Sequence, residues 1–546
     1  MRGTSTTTMD TTHRALLAAL SLFTACASPP PPTPREPPVA SEPPGRRIDA
    51  IVSALGEPGC PGLYEMYDPD VQQQISREQH AVLCAELLDQ VGPILSVSEP
   101  RFEDEWEIYR LTATRDDIIL WLSWDEAGRI RRIGSSSDLS AKCEDAIARS
   151  GVPARPPAPE PTPGRFTDVS DHALPPCVTA RSSMDARPGD IDGDGDLDLI
   201  VAVEFGSNLV LINDGHGRFD DQTHERLDTQ VHDSEDIGLA DLDADGDLDL
   251  LFVSEDDQLN QLYVNDGTGV FSEVTERLGG VTGVSNAVIV GDIDGDGDGD
   301  VLIGNAGQNE ALVNDGAGTF AVETAARLPA ASDTTQDLEL GDIDGDGDLD
   351  LVVGNEDDNR VLVNDGTGVF RDQTEARLPL TPGAEETREV DLGDVDGDGD
   401  LDLFFANVAF IEGRDPQNRL LLNDGHGVFV DQTATRLPED PVGSLDGDLL
   451  DLDGDGDLDL VTANWHEDFR AFLNDGTGSF RRDASRLARS ARASGVDVEF
   501  ADFTGDGLPD LYLCNYRDSD RLLAANSRME SDAKAHSVDG GRDPAE

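Results

Sequence analysis

Aspartates at alternate positions are the chemical signal in this chain. A nonapeptide of the form DIDGDGDLD recurs with its first Asp at 190, 241, 292, 342, 394, 451 and 502. Carboxylates at positions 1, 3, 5 and 9 of a tight loop can converge on one point. Position 7 adds a backbone carbonyl, and Gly at position 6 permits the sharp turn. A hard dication such as Ca²⁺ takes six to eight oxygens at about 2.3–2.6 Å, which this spacing can supply. Without a cation, four carboxylates within one turn would repel each other strongly.

The expected side-chain ligands are Asp190, Asp192, Asp194 and Asp198, then Asp241, Asp243, Asp245 and Asp249, then Asp292, Asp294, Asp296 and Asp300. Asp342, Asp344, Asp346 and Asp350 follow, then Asp394, Asp396, Asp398 and Asp402, then Asp451, Asp453, Asp455 and Asp459. The seventh loop has Asp502, Thr504, Asp506 and Asp510, with a hydroxyl in place of one carboxylate, and is expected to bind more weakly. Up to seven Ca²⁺ ions are therefore expected. An EF-hand is excluded, because it needs a bidentate Glu at position 12, where these loops have Val201, Phe252, Ile303, Val353, Phe405, Thr462 and Leu513. Contiguous nonapeptide arrays are excluded by intervals of 50 to 57 residues.

Charge points the same way. The 546 residues carry 40 Lys+Arg against 112 Asp+Glu, a net −72. Such a chain repels nucleic acid and anionic lipid over its whole surface. Lysine occurs only at 142 and 534, so residues 143–533 hold no phosphate-loop or Schiff-base lysine. The nine histidines form no HxxxH pair, and neither GxSxG nor CxxC occurs. No catalytic residue is assigned, and the regularly spaced carboxylates are all read as metal ligands.

A second element, NDGxGxF, alternates with the loops at 213–219, 265–271, 314–320, 364–370, 423–429 and 474–480. Around the second loop the elements are readable. Ile237–Ala240 leads into it, Leu248–Val253 follows as a β-rich run, Gln261–Val264 is a third strand and Phe271–Val274 a fourth. Asn265-Asp266-Gly267 makes the hairpin turn, since these residues tolerate positive φ. Four antiparallel strands per ~50 residues is the signature of a propeller blade. After the seventh loop the chain never reaches NDGxGxF, and its missing strand stands at the front as Gly164–Val169. A seven-bladed β-propeller over residues 164–526 is expected, closed by that strand.

These units resemble the FG-GAP or VCBS repeats of bacterial surface proteins and of integrin α chains. The resemblance implies a calcium-binding propeller that acts in adhesion or binding. It also implies that the ligand-binding face is the one opposite the calcium loops, formed by the connections between second and third strands. Those connections carry Phe205, Phe410, Arg414, Trp465, His466, Tyr516 and Arg517, a concentration of residue types common at binding hot spots. The connection in blade five is the longest, 21 residues from Asp402 to Asn423 against 14–16 elsewhere.

Residues 1–25 have the form of a signal peptide, with an apolar run Ala15–Phe23 too short to span a bilayer. Phe23-Thr24-Ala25-Cys26 resembles the bacterial lipoprotein signal, which implies lipidation at Cys26; Ala27 after it implies the outer membrane. Residues 26–46 read as a Pro-rich tether. Residues 47–150 read as a small α+β domain resembling the NTF2-like or cystatin-like folds, opened by a helix from Ser76 to Leu88. Its strands are expected at 107–114, 118–124 and 129–133. A Pro-rich linker (151–163) precedes the propeller, and a disordered tail (527–546) follows it. An exported chain favours disulfides, and Cys177 and Cys514, at the closing seam, are expected to pair. The expected partner is an extracellular protein or polysaccharide, with membrane contact only through the lipid anchor. The alternatives are a polysaccharide-degrading enzyme and a structural spacer.

Overall fold

The computed structural model describes five strands between residues 94 and 137 and, with short gaps, residues 166–526. The signal segment with Cys26, the tether, the Ser76–Leu88 helix, the linker, Cys177, Arg517 and the tail lie outside the described residues. The chain divides into two units, Met1–Arg149 and Ser150–Glu546.

In the first unit Ile94–Val97, Arg101–Glu103, Trp106–Ala113, Ile118–Trp124 and Ile130–Ser137 form one antiparallel sheet. Trp106–Ala113 pairs with the first, second and fourth of these strands. The expected strands fall here, the last running on to Ser137 instead of stopping at Ile133.

The second unit is mainly β and built from repeated four-stranded antiparallel sheets. The first comprises β7 (Ser183–Gly189), β8 (Asp198–Val203), β9 (Leu209–Asn213) and β10 (Phe219–Asp221), paired in chain order if the five strands above and Thr167–Asp168 are β1–β6. Five further sets follow the same order, the third and fourth being joined where Ala306 pairs with Thr334. The last set, Gly495–Ala501, Asp510–Asn515 and Arg521–Ala524, takes Thr167–Asp168 as its fourth strand, with Leu523 opposite Asp168. This repetition is consistent with a propeller.

The sequence of each second strand explains its place. Asp198–Val203 is apolar without alternation after its first residue, as a strand covered on both faces must be. Leu199, Val201 and Val203 pack toward Tyr512, Cys514 and Leu522 of the last set. Ile200 and Ala202 pack the other way, toward Leu250, Phe252 and Tyr263 of the next. The core therefore lies between neighbouring sheets, and each buried Leu, Val or Ile contributes about 1.5–3 kcal/mol.

Candidate functional site

Each Asp loop joins the first strand of a set to its second. The carboxylate at position 1 holds the loop by accepting the amide of the position-6 glycine: Gly195 on Asp190 at 3.1 Å, Gly347 on Asp342 at 3.0 Å and Gly507 on Asp502 at 2.8 Å. Asp190, Asp192 and Asp194 each have an oxygen within 4.8 Å of the others', as do Asp241, Asp243 and Asp245, and likewise Asp292, Asp294 and Asp300.

Position 9 is the buried member. Asp198 accepts the amides of Asn213 (2.8 Å) and Ile191 (3.3 Å), tying the loop to the NDG turn of its own sheet. Burial, opposed by those hydrogen bonds and reinforced by Asp192 and Asp194, raises its pKa to about 7. Burial does the same in the other loops, to about 6 for Asp249, Asp300 and Asp510 and about 7 for Asp350, Asp402 and Asp459.

Position 3 is divided. The Oδ1 atoms of Asp192, Asp243, Asp294, Asp344 and Asp396 are buried and accept no hydrogen bond. Their Oδ2 atoms face an arginine from the short helical turn after the fourth strand. The separations are 3.0 Å for Arg226–Asp192, 2.9 Å for Arg327–Asp294 and 2.8 Å for Arg377–Asp344. Arg486–Asp453 stands at 3.0 Å, and Arg277–Asp243 and Arg436–Asp396 at 3.8 Å. The same guanidinium reaches the next sheet: Arg226 donates to the Thr268 carbonyl, Arg327 to Thr367 and Arg377 to His426.

A second tie runs beside it. Asn265 Nδ2 donates to the Ile191 carbonyl at 2.8 Å, and Asn423 Nδ2 to Ile343 at 2.8 Å, so each turn is bonded to the loop of the preceding sheet. Asn213 makes the same bond to Phe503 at 2.9 Å, linking the first turn to the last loop. The turn glycine has no room for a side chain: Gly366 has φ +75°, and a Cβ there would stand 2.5 Å from Asp348 Oδ2. The last loop lacks both halves of the arginine contact. Thr504 replaces the position-3 aspartate, and Ala173 stands where the other helical turns have arginine.

Not all the regular carboxylates belong to the loops, and the sequence reading is corrected on this point. The first strands carry a second set, which ties five of the sheets to the next. Asp185 accepts the Ile237 amide (2.9 Å), Asp236 that of Val288 (2.6 Å) and Asp337 that of Val390 (2.9 Å). Asp391 accepts that of Leu449 (2.7 Å) and Asp446 that of Val498 (2.7 Å). Burial raises Asp337 and Asp391 to about 7 and Asp446 to about 8. Arg187 answers part of this charge, pairing with Glu499 at 2.6 Å and with Asp185 and Asp236 at 3.4 Å.

On the connections between second and third strands, four of the singled-out residues meet. Trp465 is central, with ring centroids 6.0 Å from Phe410, 5.1 Å from Tyr516 and 4.4 Å from His466. Arg414 is not part of this cluster of rings; it pairs with Asp357 at 2.6 Å. Phe205 sits in another connection with φ +49°. The partner expected for Cys514, Cys177, lies outside the described residues. The Cys514 thiol is fully buried, on the side of its strand that packs against the first sheet.

Solved structures are similar to the chain at low identity. One is an Agrocybe aegerita lectin described for specific recognition of non-reducing terminal N-acetylglucosamine, at 18% identity, covering 62% of this chain and 87% of that one, with a TM-score of 0.38. Another is BBS1N in complex with ARL6DN, soaked with lead, at 12% identity, covering 66% and 97%, with a TM-score of 0.45. No curated protein sequence matches the chain. The FG-GAP-like repeat matches six times, at residues 190–252, 241–303, 292–353, 342–405, 394–462 and 451–513. Together these matches span more than half of the 546 residues, and the chain belongs to the FG-GAP-like repeat family.

Proposed function

We propose that this chain is an exported, calcium-stabilised binding protein. Its repeat region would close as seven blades and recognise an extracellular protein or polysaccharide through the face opposite the loops. The observation that carries the calcium reading is the row of buried Oδ1 atoms at position 3 that accept no hydrogen bond. Unsatisfied buried acceptors are costly, and a shared cation in each loop removes that cost. Positions 1, 3, 5 and 9 of each loop would hold the ion, which supplies charge neutralisation and a rigid link between loop oxygens. The seventh blade is supported by the pairing of Thr167–Asp168 with Arg521–Ala524 and by the Asn213–Phe503 bond. Export and attachment at Cys26 rest on the leader and on the Pro-rich stretch behind it.

Calorimetric titration of the EDTA-treated full chain with Ca²⁺ tests the metal reading. About seven ions are expected, with one lost in Asp344→Ala; no heat of binding rejects it. Capture from native envelope material with and without calcium tests the binding role, and identical empty captures in both conditions count against it.

A further inference from the structure

We infer that the partner recognised by this face presents a basic segment whose guanidinium or ammonium groups seat on the aromatic cluster centred on Trp465. The inference rests on the reading of this face as the binding face and names the chemistry of what binds there.

Three consecutive sheets contribute to the cluster, through Phe410, through Trp465 with His466, and through Tyr516. None of these rings belongs to the hydrophobic clusters between sheets. Phe410, Trp465 and Tyr516 are half-buried, His466 is exposed, and Ile411 beside Phe410 is 40% exposed. A half-exposed indole with neighbouring rings is a surface on which a cation can stack.

The described residues already use this chemistry at Phe410. Arg388 Cζ lies 5.1 Å from the Phe410 ring centroid, and its guanidinium is paired with Glu356 at 3.2 Å and Glu386 at 2.8 Å. One guanidinium is thus held between an aromatic ring and carboxylates at the edge of the cluster. Farther round, the same connections offer carboxylates that project into solvent. Asp358 and Asp518 are exposed, and the side chains of Asp357 and Glu467, each already facing one arginine (Arg414 and Arg470), remain 71% and 59% exposed.

Charge selects the occupant. The chain carries −72, so an acidic glycan or acidic protein is repelled on approach, while a basic segment is steered in. A neutral glycan could stack on the rings but would gain nothing from the surrounding carboxylates. A basic segment gains both the cation–π contact and the ion pairs.

The full chain in saturating calcium would be titrated with an Arg-Gly repeat peptide, with the same peptide carrying citrulline for arginine, and with a neutral oligosaccharide. Trp465 fluorescence and calorimetry give the readouts. Trp465→Leu keeps apolar packing but removes the indole, Tyr516→Leu does the same for the phenol, and Glu375→Gln, at an exposed helical turn away from this face, controls for charge. The Arg peptide should bind at least roughly ten-fold more tightly than its citrulline counterpart. Trp465→Leu should weaken it by roughly ten-fold with an unchanged melting temperature, and Glu375→Gln should leave it as it is. Arg-peptide binding that is the same in the wild type and in Trp465→Leu is diffuse electrostatic attraction and overturns the inference. Trp465-dependent binding of the oligosaccharide or the citrulline peptide at equal strength overturns the basic partner but leaves the face as a binding face. Loss of folding in both leucine variants shows that the rings are structural and overturns the inference together with the reading beneath it.

Discussion

Arg377 Nη2 lies 2.8 Å from Asp344 Oδ2 while its Nη1 donates to the His426 carbonyl at 2.6 Å, so one side chain joins a loop to the turn of the following sheet. Both side chains are mostly buried, 11% and 16% exposed, so screening by solvent is modest. A hydrogen bond to a charged partner in such a place is worth about 1.5–3 kcal/mol. Arg377→Gln should therefore lower unfolding stability by about 1–3 kcal/mol in denaturant titration, and a change within about 0.3 kcal/mol would remove the contact from the account of the fold. The absence of both halves in the last loop suggests the reverse experiment. Because Ala173 is fully buried, Ala173→Arg alone should destabilise the chain, and adding Thr504→Asp should recover part of that loss, a coupling read from the double-mutant cycle.

Calcium should raise the melting temperature strongly. A ligand bound only by the folded state stabilises it by about 2.7 kcal/mol per site at a hundred-fold excess over Kd, and several sites add. EDTA should lower the melting temperature by well over a few degrees, and Mg²⁺ should restore little of it, because Mg²⁺ sheds its water reluctantly and demands stricter geometry. A shift of only a degree or two on chelation would mean that the loops do not depend on metal.

Much of this architecture is legible in the sequence because two motifs alternate at nearly constant intervals. The loops and turns fall where DxxxDGxxD and NDGxGxF place them, and the apolar second strands lie between sheets as their lack of alternation implies. The arginine contacts escape a motif search aimed at acids, although Arg-Leu recurs after every fourth strand from Arg226 to Arg486. The carboxylates of the first strands escape for another reason. Asp185 and Asp236 bond amides about 50 residues further on, and no local pattern reports a partner at that distance. The meeting of Phe410, Trp465 and Tyr516 likewise needs the order of the sheets in space, since up to about 55 residues separate neighbours in the chain.

Cys514 should behave as a shielded thiol. It is fully buried, and burial together with the nearby charges of Asp497 and Asp520 pushes its pKa well above the usual thiol value. The reactive thiolate is therefore scarce and inaccessible. In the calcium-loaded chain, alkylation at Cys514 should be negligible over hours and become complete in denaturant, as read by peptide mass mapping. Protection that persists in denaturant without reductant would restore a disulfide at this position.

The buried carboxylates of the first strands should make metal-free stability fall as pH rises. The folded-state pKa is about 8 for Asp446 and about 7 for Asp337 and Asp391, against 3.8 for an ordinary Asp. Between pH 4 and 8 the folded chain binds more protons at these sites than the unfolded chain does. Their stabilising contribution is complete below about pH 4 and is lost as pH climbs through 7 to 8. Arg187 offsets part of the repulsion near Asp185, Asp236 and Glu499. In EDTA the buried loop aspartates contribute a slope of the same sign, so a single substitution is needed to isolate the first-strand set. Asp446→Asn keeps an acceptor for the Val498 amide but cannot ionise. It should be nearly equal in stability to the wild type at about pH 4 and increasingly more stable as pH rises to about 8, where the gap levels off, by urea denaturation in EDTA. Parallel pH profiles for the two proteins would show that Asp446 ionises in the folded state at its ordinary pKa.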